Sequence, residues 1–376
     1  MDPAVRLRLI GAYACLVGSH AGVAYISAVM SELGMRPPEI ALLLLVNSVF
    51  ATFGGPAWAD HADRHARRAP ALREAALGSA VVATGLLLVD HRLAWAALIA
   101  VFGLVRGAVG PLIDGTTVDL LGAERHRYAR LRVAGSIGFV LVAIPAGMLQ
   151  DASPRGSLWL VAAGLWLAVL CCWRLPETGS GAGARTGWGD LLRHPQLGAL
   201  TLLASLHGVT LSTYDHLFSL LVHQRGLPDA VTGQGLALGV GAEVLVMLSA
   251  PWLLRVVGLR RMLVLAIASG VPRWLLTGAD LGPAALVATQ ALHGVGFGAY
   301  WVSGVALFAL HAPPGRSSSA QAMLVVATFG IGRMIAMALA WAGLGAVSVA
   351  TWFSALSVVS AATAALGWRL LRGQGD

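Results

Sequence analysis

Long apolar runs, broken at short intervals by turns rich in arginine, proline and glycine, set the pattern of this chain. A helix needs about 20 apolar residues to cross the hydrocarbon of a bilayer. The runs predict spans over 7–33, 39–59, 73–90, 93–121, 129–150, 156–174, 196–223, 229–254, 261–279, 283–310, 320–343 and 347–371. The expectation is an all-α membrane protein of twelve transmembrane helices. The first run, which starts near a basic MDPAVRLRLI, reaches Leu33. That is too long for a cleaved signal peptide, so it reads as the first span.

Polar segments change the picture in two places. The longest, PETGSGAGARTGWGDLLRHPQ from Pro176 to Gln196, is rich in Gly, Ser and Ala and reads as a flexible linker. It divides the chain into an N-terminal six-helix bundle over 1–175, a linker over 176–195 and a C-terminal six-helix bundle over 196–376. Two pseudo-symmetric six-helix bundles suggest a repeat architecture of the kind secondary transporters use. The second place is RGAVGPLIDGTTVDLLGAERHRYARLRVAGSIGF, Arg106 to Phe139. It reads as the end of one apolar helix carrying Arg106 and Asp114, a basic turn, and the start of an antiparallel helix carrying Arg132. Asp114 and Arg132 then lie at similar depth, about 10 Å inside the boundary at 1.5 Å per residue. A charge held in hydrocarbon costs about 2.5 kcal/mol or more, so it faces a partner or a water-filled cavity.

Composition narrows the function. Apolar residues make up 57% and charged ones 12% of the 376 residues, far from the quarter charged of a soluble domain. The net charge of +8 comes from 26 arginines and no lysine. The arginines cluster in short loops without interleaved aromatics, so membrane topology rather than nucleic acid explains them. With the N-terminus inside, eighteen of them fall on that side against four (Arg36, Arg92, Arg155 and Arg225) on the other. This bias predicts an inner (plasma) membrane protein with both termini cytoplasmic. Cys15, Cys171 and Cys172 lie inside apolar runs without metal-ligand spacing and read as packing residues. The 46 glycines let membrane helices approach closely. No phosphate loop, nucleophile elbow or metal-ligand cluster is present, so an enzyme, a metal site and an organic cofactor are not expected.

Four stretches resemble the major facilitator superfamily, in its branch around lactose permease and the phenylpropionate permeases. GGPAWADHADRHARR (Gly54–Arg68) resembles the signature loop between helices two and three, with Asp63 and Arg64 as its acid–arginine step and Ala59 where a glycine is usual. PLID followed by RVAGSIGF, SAPWLLRVVGLRRMLVLAIASGVPRW (Ser249–Trp274), and TQALHGVGFGAYW (Thr289–Trp301) with AQAML (Ala320–Leu324) carry the rest. The resemblance implies that Asp114 and Arg132 grip a substrate hydroxyl or carboxylate, for which an arginine fork is suited. Phe139 stands in place of a sugar-stacking tryptophan, a departure that weakens a galactoside assignment. Arg273 and His293 match an arginine and a histidine of a proton site whose acid is absent, Gly296 standing in its place. Glu243 is the remaining candidate acid. Asp215 resembles an acid that pairs with a helix-eleven cation, here Arg333.

The reading that follows is a secondary transporter, a monomer in the lipid bilayer, working by alternating access. It would carry a small polar or carboxylated organic solute such as a sugar, nucleoside or aromatic acid by symport, with the proton as coupling ion. Substrate would meet Asp114, Arg132, Phe139 and Arg106; protons would pass through Glu243, Arg273 and His293; Asp63 and Arg64 would gate. A sugar or drug exporter of the same fold is the alternative, and a non-transporting sensor or scaffold the alternative of another class. Each charged pair also has a purely structural reading as a helix pin.

Overall fold

The computed structural model describes residues 1–65, 67–177, 188–313 and 316–372. Helix α1 runs Pro3–Val23 and, past a 41° bend, Ile26–Glu32. It is followed by α2 (Pro37–Ala62), α3 (Arg68–Leu88), α4 (Arg92–Leu121), α5 (Tyr128–Ala152) and α6 (Gly156–Trp173). Then come α7 (Pro195–Gln224), α8 (Ala230–Val257), α9 (Leu259–Ala268 and Gly270–Gly278), α10 (Pro283–His311), α11 (Ser319–Gly343) and α12 (Val349–Leu370). Ten helices among the described residues are long and apolar enough to cross a membrane, eleven if the bent pair counts as one.

The difference from twelve lies in α9. Its two segments meet at Ser269, whose hydroxyl donates back to the Ala266 carbonyl at 2.7 Å, and Gly270 follows. A back-bonding serine beside a glycine is a common cause of a helix break. The interruption leaves two short helices where the apolar run predicts one continuous span.

The chain forms two compact units, Met1–Ala184 with Pro228–Gly233, and Arg185–Leu227 with Gln234–Asp376. Of the expected linker, residues 178–187 lie outside the described residues. Within the first unit α1 packs on α5 and α6, α3 on α4 and α6, and α2 on α4. Within the second, α7 packs on α11 and α12, and α9 on α10 and α12. The pairs α1–α5 and α7–α11 correspond, and both depend on glycine. A Cβ added at Gly138 would stand 2.8 Å from the Ala14 backbone, and one at Gly332 would stand 2.7 Å from Gly208 Cα. Close backbone approach of this kind replaces the hydrophobic effect as the driving force between helices in lipid.

Arginines secure helix ends. Arg8 donates to the Arg174 carbonyl at 2.8 Å and Arg73 to that of Leu175 at 2.5 Å, both at the C-terminal end of α6. Cations there satisfy orphan carbonyls and the negative end of the helix dipole. At the other end of the bundle, the Asp151 carboxylate on α5 accepts the amide hydrogens of Asp229 and Ala230. Those amides belong to the short segment that groups with the first unit. Large apolar side chains such as Leu141 and Met148 on α5 and Leu248 and Trp252 on α8 are exposed, as lipid contact requires.

Candidate functional site: a polar cluster within each unit

In the first unit the polar cluster is built on α1, α4 and α5. Tyr13, fully buried on α1, donates its hydroxyl to Asp114 Oδ1 of α4 at 2.7 Å and lies 3.2 Å from the Thr117 hydroxyl. Tyr128, at the first residue of α5, interacts electrostatically with Asp114. The Arg132 guanidinium sits one turn further along α5, over the Tyr13 ring at 6.0 Å. Gly135 makes room for it: a Cβ there would lie 3.0 Å from Arg132 Nη1 and 2.7 Å from Val17 of α1. On the other flank, Arg106 of α4 donates to the Leu16 carbonyl at 2.6 Å while its Nε is buried without a partner. Arg106, Asp114 and Arg132 therefore all reach the Tyr13–Val17 stretch of α1. Phe139, half-buried, lies two turns past Arg132 on α5.

The sequence expectation set Asp114 against Arg132. Among the described residues the two form no ion pair within 4.0 Å; the Tyr13 hydroxyl bonds the carboxylate instead. The basic turn is a 3-10 segment, Gly122–Arg127. Tyr13, which links the acid to the arginine's neighbourhood, is on a helix more than a hundred residues away in sequence. Spacing within the Arg106–Phe139 stretch had no means of revealing it.

In the second unit the cluster is a chain of contacts. Arg273, on the second segment of α9, is buried to 1% exposure. Its guanidinium lies 4.3 Å from the centres of both the Tyr214 ring of α7 and the adjoining Trp274 ring. It donates to His293 Nδ1 at 3.0 Å and to Gln290 Oε1 at 3.1 Å. An Nδ1 that accepts from arginine carries no hydrogen, so the imidazole is the neutral tautomer with its proton on Nε2. That Nε2 faces Glu243 Oε2 of α8 at 3.8 Å. His293 thus stands between Arg273 and Glu243. Gln290, one turn earlier on α10, is fully buried and donates to the Thr289 hydroxyl at 2.8 Å and the Leu286 carbonyl at 3.2 Å. Its role was not read from the sequence, although its position three residues before His293 puts both on one helix face.

The remaining expectations fall differently. Asp215 interacts electrostatically with Arg273 ahead of Arg333, and among the described residues no ion pair within 4.0 Å joins Asp215 to Arg333. Asp215 and Arg333 nonetheless interact electrostatically with each other. Arg64, exposed at the end of α2, pairs with Asp60 one turn back on its own helix. The Asp63 side chain lies outside the described residues. Cys15 and Cys171, on α1 and α6, are free thiols that interact across the two helices.

Comparison with known proteins fits this geometry. The chain is 28% identical over 232 residues to a maltose permease of Geobacillus stearothermophilus, covering 60% of this chain and 58% of that protein, so the match spans less than two thirds of the relative's length. It is 27% identical over 273 residues to a probable 3-phenylpropionic acid transporter of Escherichia coli strain K12, covering 70% and 71% respectively. Crystal structures of the nucleoside transporter NupG (mutant form: TM-score 0.85, 17% identity, 98% of this chain and 100% of that) and of the POT family transporter PepTSo (0.80, 11%, 99% and 98%) share its fold. These proteins are transporters, not enzymes. Residues 12–355 match the MFS_1 like family; the chain belongs to that family and is a multi-pass membrane transporter of the major facilitator type.

Proposed function

We propose that the protein is a proton-coupled symporter of a small polar or carboxylated organic solute, with both termini on the cytoplasmic side of the inner membrane. The observation that carries this reading is the Arg273–His293–Glu243 chain. A carboxyl group in a poorly hydrated site holds a proton more readily than in water, and a nearby cation reverses that preference. Here the cation acts on Glu243 through an imidazole whose free Nε2–H points at the carboxylate. A shift of His293 toward Glu243 favours the carboxylate and proton release; withdrawal favours the acid. Asp114, held by Tyr13, and Arg132 supply hydrogen-bond acceptors and donors for solute. Alternating access then couples the two events.

The test is paired counterflow and pH-gradient-driven uptake in proteoliposomes, with maltose, 3-phenylpropionate and uridine as trial solutes. Glu243→Gln mimics the protonated acid. It should keep counterflow of whichever solute is carried and lose uphill accumulation. Gradient-driven accumulation equal to the unmodified protein would remove Glu243 from the coupling path.

A further inference from the structure

Three nitrogen-bearing side chains gather at the end of the second unit where α7 and α9 begin and α10 finishes. His194 is the N-cap residue of α7, and its side chain makes no capping bond. Arg260 is the second residue of α9 and His311 the last of α10. Both α7 and α9 pack on α10. The His194 and His311 ring centres are 6.4 Å apart, and Arg260 and His194 both act electrostatically on His311. All three side chains are half-buried. His194 Nδ1, Arg260 Nη1 and His311 Nε2 are each shut off from water without a hydrogen-bond partner. A buried nitrogen left unpaired is costly, and native structures leave few of them. Three such atoms in one cluster, drawn from three helices, share one explanation.

The chemistry of the three selects the occupant. Arg260 carries a fixed positive charge, and each imidazole offers at least one N–H. The starts of α7 and α9 add the positive ends of two helix dipoles. No carboxylate among the described residues is ion-paired with any of the three. A metal cation on the histidines would sit beside a guanidinium that repels it. A tetrahedral anion has enough acceptor oxygens to meet all three groups, and a guanidinium binds phosphate through two parallel N–H bonds. We propose that His194, Arg260 and His311 form a binding site for a phosphate group. The group belongs either to the headgroup of an anionic lipid or to a free phosphate ester, since both present the same oxygens. Basic pockets between helix ends on the cytoplasmic side of a membrane suit such headgroups, and this end is cytoplasmic in the topology proposed above. A phosphate held here ties the starts of α7 and α9 to the end of α10. The inference does not depend on the solute or on the coupling ion.

The experiment uses the purified full-length protein in nanodiscs of phosphatidylcholine, alone or with added phosphatidylglycerol. In the first arm, phosphatidylglycerol should raise the melting temperature and remain bound to the protein in native mass spectrometry from detergent. In the second, inorganic phosphate or glycerol 3-phosphate should bind in calorimetry in phosphatidylcholine alone, against sodium chloride at matched ionic strength. The first result assigns a lipid and the second a free phosphate; either supports the site. In whichever arm responds, Arg260→Gln should weaken binding about tenfold or more, the loss expected for a charge-assisted bond. His194→Gln and His311→Gln should each weaken it several-fold, and Arg260→Lys should keep part of it. The melting temperatures of the variants in phosphatidylcholine alone should match the unmodified protein. The histidine variants carry the test by themselves if Arg260→Gln does not fold. No response in either arm beyond the chloride control overturns the inference. So does a response that all the variants retain, or stabilisation by zinc ion in place of phosphate.

Discussion

The polar groups of the two units are arranged on opposite principles. In the first, Asp114 is taken up by the Tyr13 hydroxyl and Arg132 is left with open valences beside an aromatic ring. In the second, Arg273 is enclosed by two rings, an imidazole and an amide, and passes its influence on through His293. The first cluster is built on α1, α4 and α5, the second on α7, α8, α9 and α10. The comparison teaches that one bundle plan supports both an open cation, suited to a ligand that comes and goes, and an enclosed one, suited to a proton that moves a short distance.

The sharpest way to break the contrast is to remove each cation in turn. Arg273→Ala should cost about 3 kcal/mol of stability, because it leaves the buried Gln290 Oε1 and His293 Nδ1 without their donor and strips the cation from two aromatic faces. Arg132→Ala should stay within about 0.5 kcal/mol of the unmodified protein, since no described hydrogen bond is lost. Melting curves of the two variants in the same detergent check this. A larger loss for Arg132→Ala than for Arg273→Ala would mean that the open cation is a structural pin.

A second intervention tests whether the shared frame is as tight as the glycines imply. Gly332→Val places its Cβ 2.7 Å from Gly208 Cα, where only backbone stands to yield. Overpacking of this kind costs about 1–3 kcal/mol. The expected result is a lowered melting temperature with both clusters chemically intact. No change would show that α7 and α11 can part at that point without penalty.

How much of this was legible beforehand follows from the range of the signals. Hydrophobic run length is local, so most spans were placed to within several residues. It could not show the one-residue break at Ser269 within α9, since serine and glycine are common in apolar runs. The charges Arg106, Asp114, Arg132, Glu243, Arg273 and His293 stood out because any charge in an apolar run is conspicuous. Their partners did not. Tyr13, Tyr128 and Gln290 are ordinary residues for a membrane helix, and only the packing of α1 on α5 or of α9 on α10 gives them a role.

A smaller effect separates the ligand role of Asp114 from its place in the frame. Tyr13→Phe keeps the buried ring and removes the 2.7 Å hydrogen bond to the carboxylate. The loss of one hydrogen bond is worth about 0.5–1.5 kcal/mol. Affinity for the identified solute should fall by several-fold to tenfold, measured by calorimetry, with the melting temperature little changed. Unchanged affinity would assign Asp114 to the frame alone.

The smallest effect is expected outside the spans, where water removes the penalty that makes in-span charges informative. Arg64 and Asp60 are half-exposed, at 52% and 56% of their side-chain surface, and pair along one helix face. Exposed pairs of this spacing contribute about 0.3–0.5 kcal/mol. A double-mutant cycle with Arg64→Ala and Asp60→Asn should therefore return a coupling at the edge of measurement, set against the large cost of Arg273→Ala. The same variants sharpen the gating expectation for Asp63 and Arg64. If this end of α2 gates, Asp63→Asn slows counterflow while leaving solute affinity and melting temperature unchanged, because a gate changes the rate of exchange between states and not the contacts of the bound one. A fall in affinity with unchanged counterflow would move Asp63 out of the gate, and a coupling above about 1 kcal/mol in the Asp60–Arg64 cycle would mean that this end of the helix is drier than its exposure indicates.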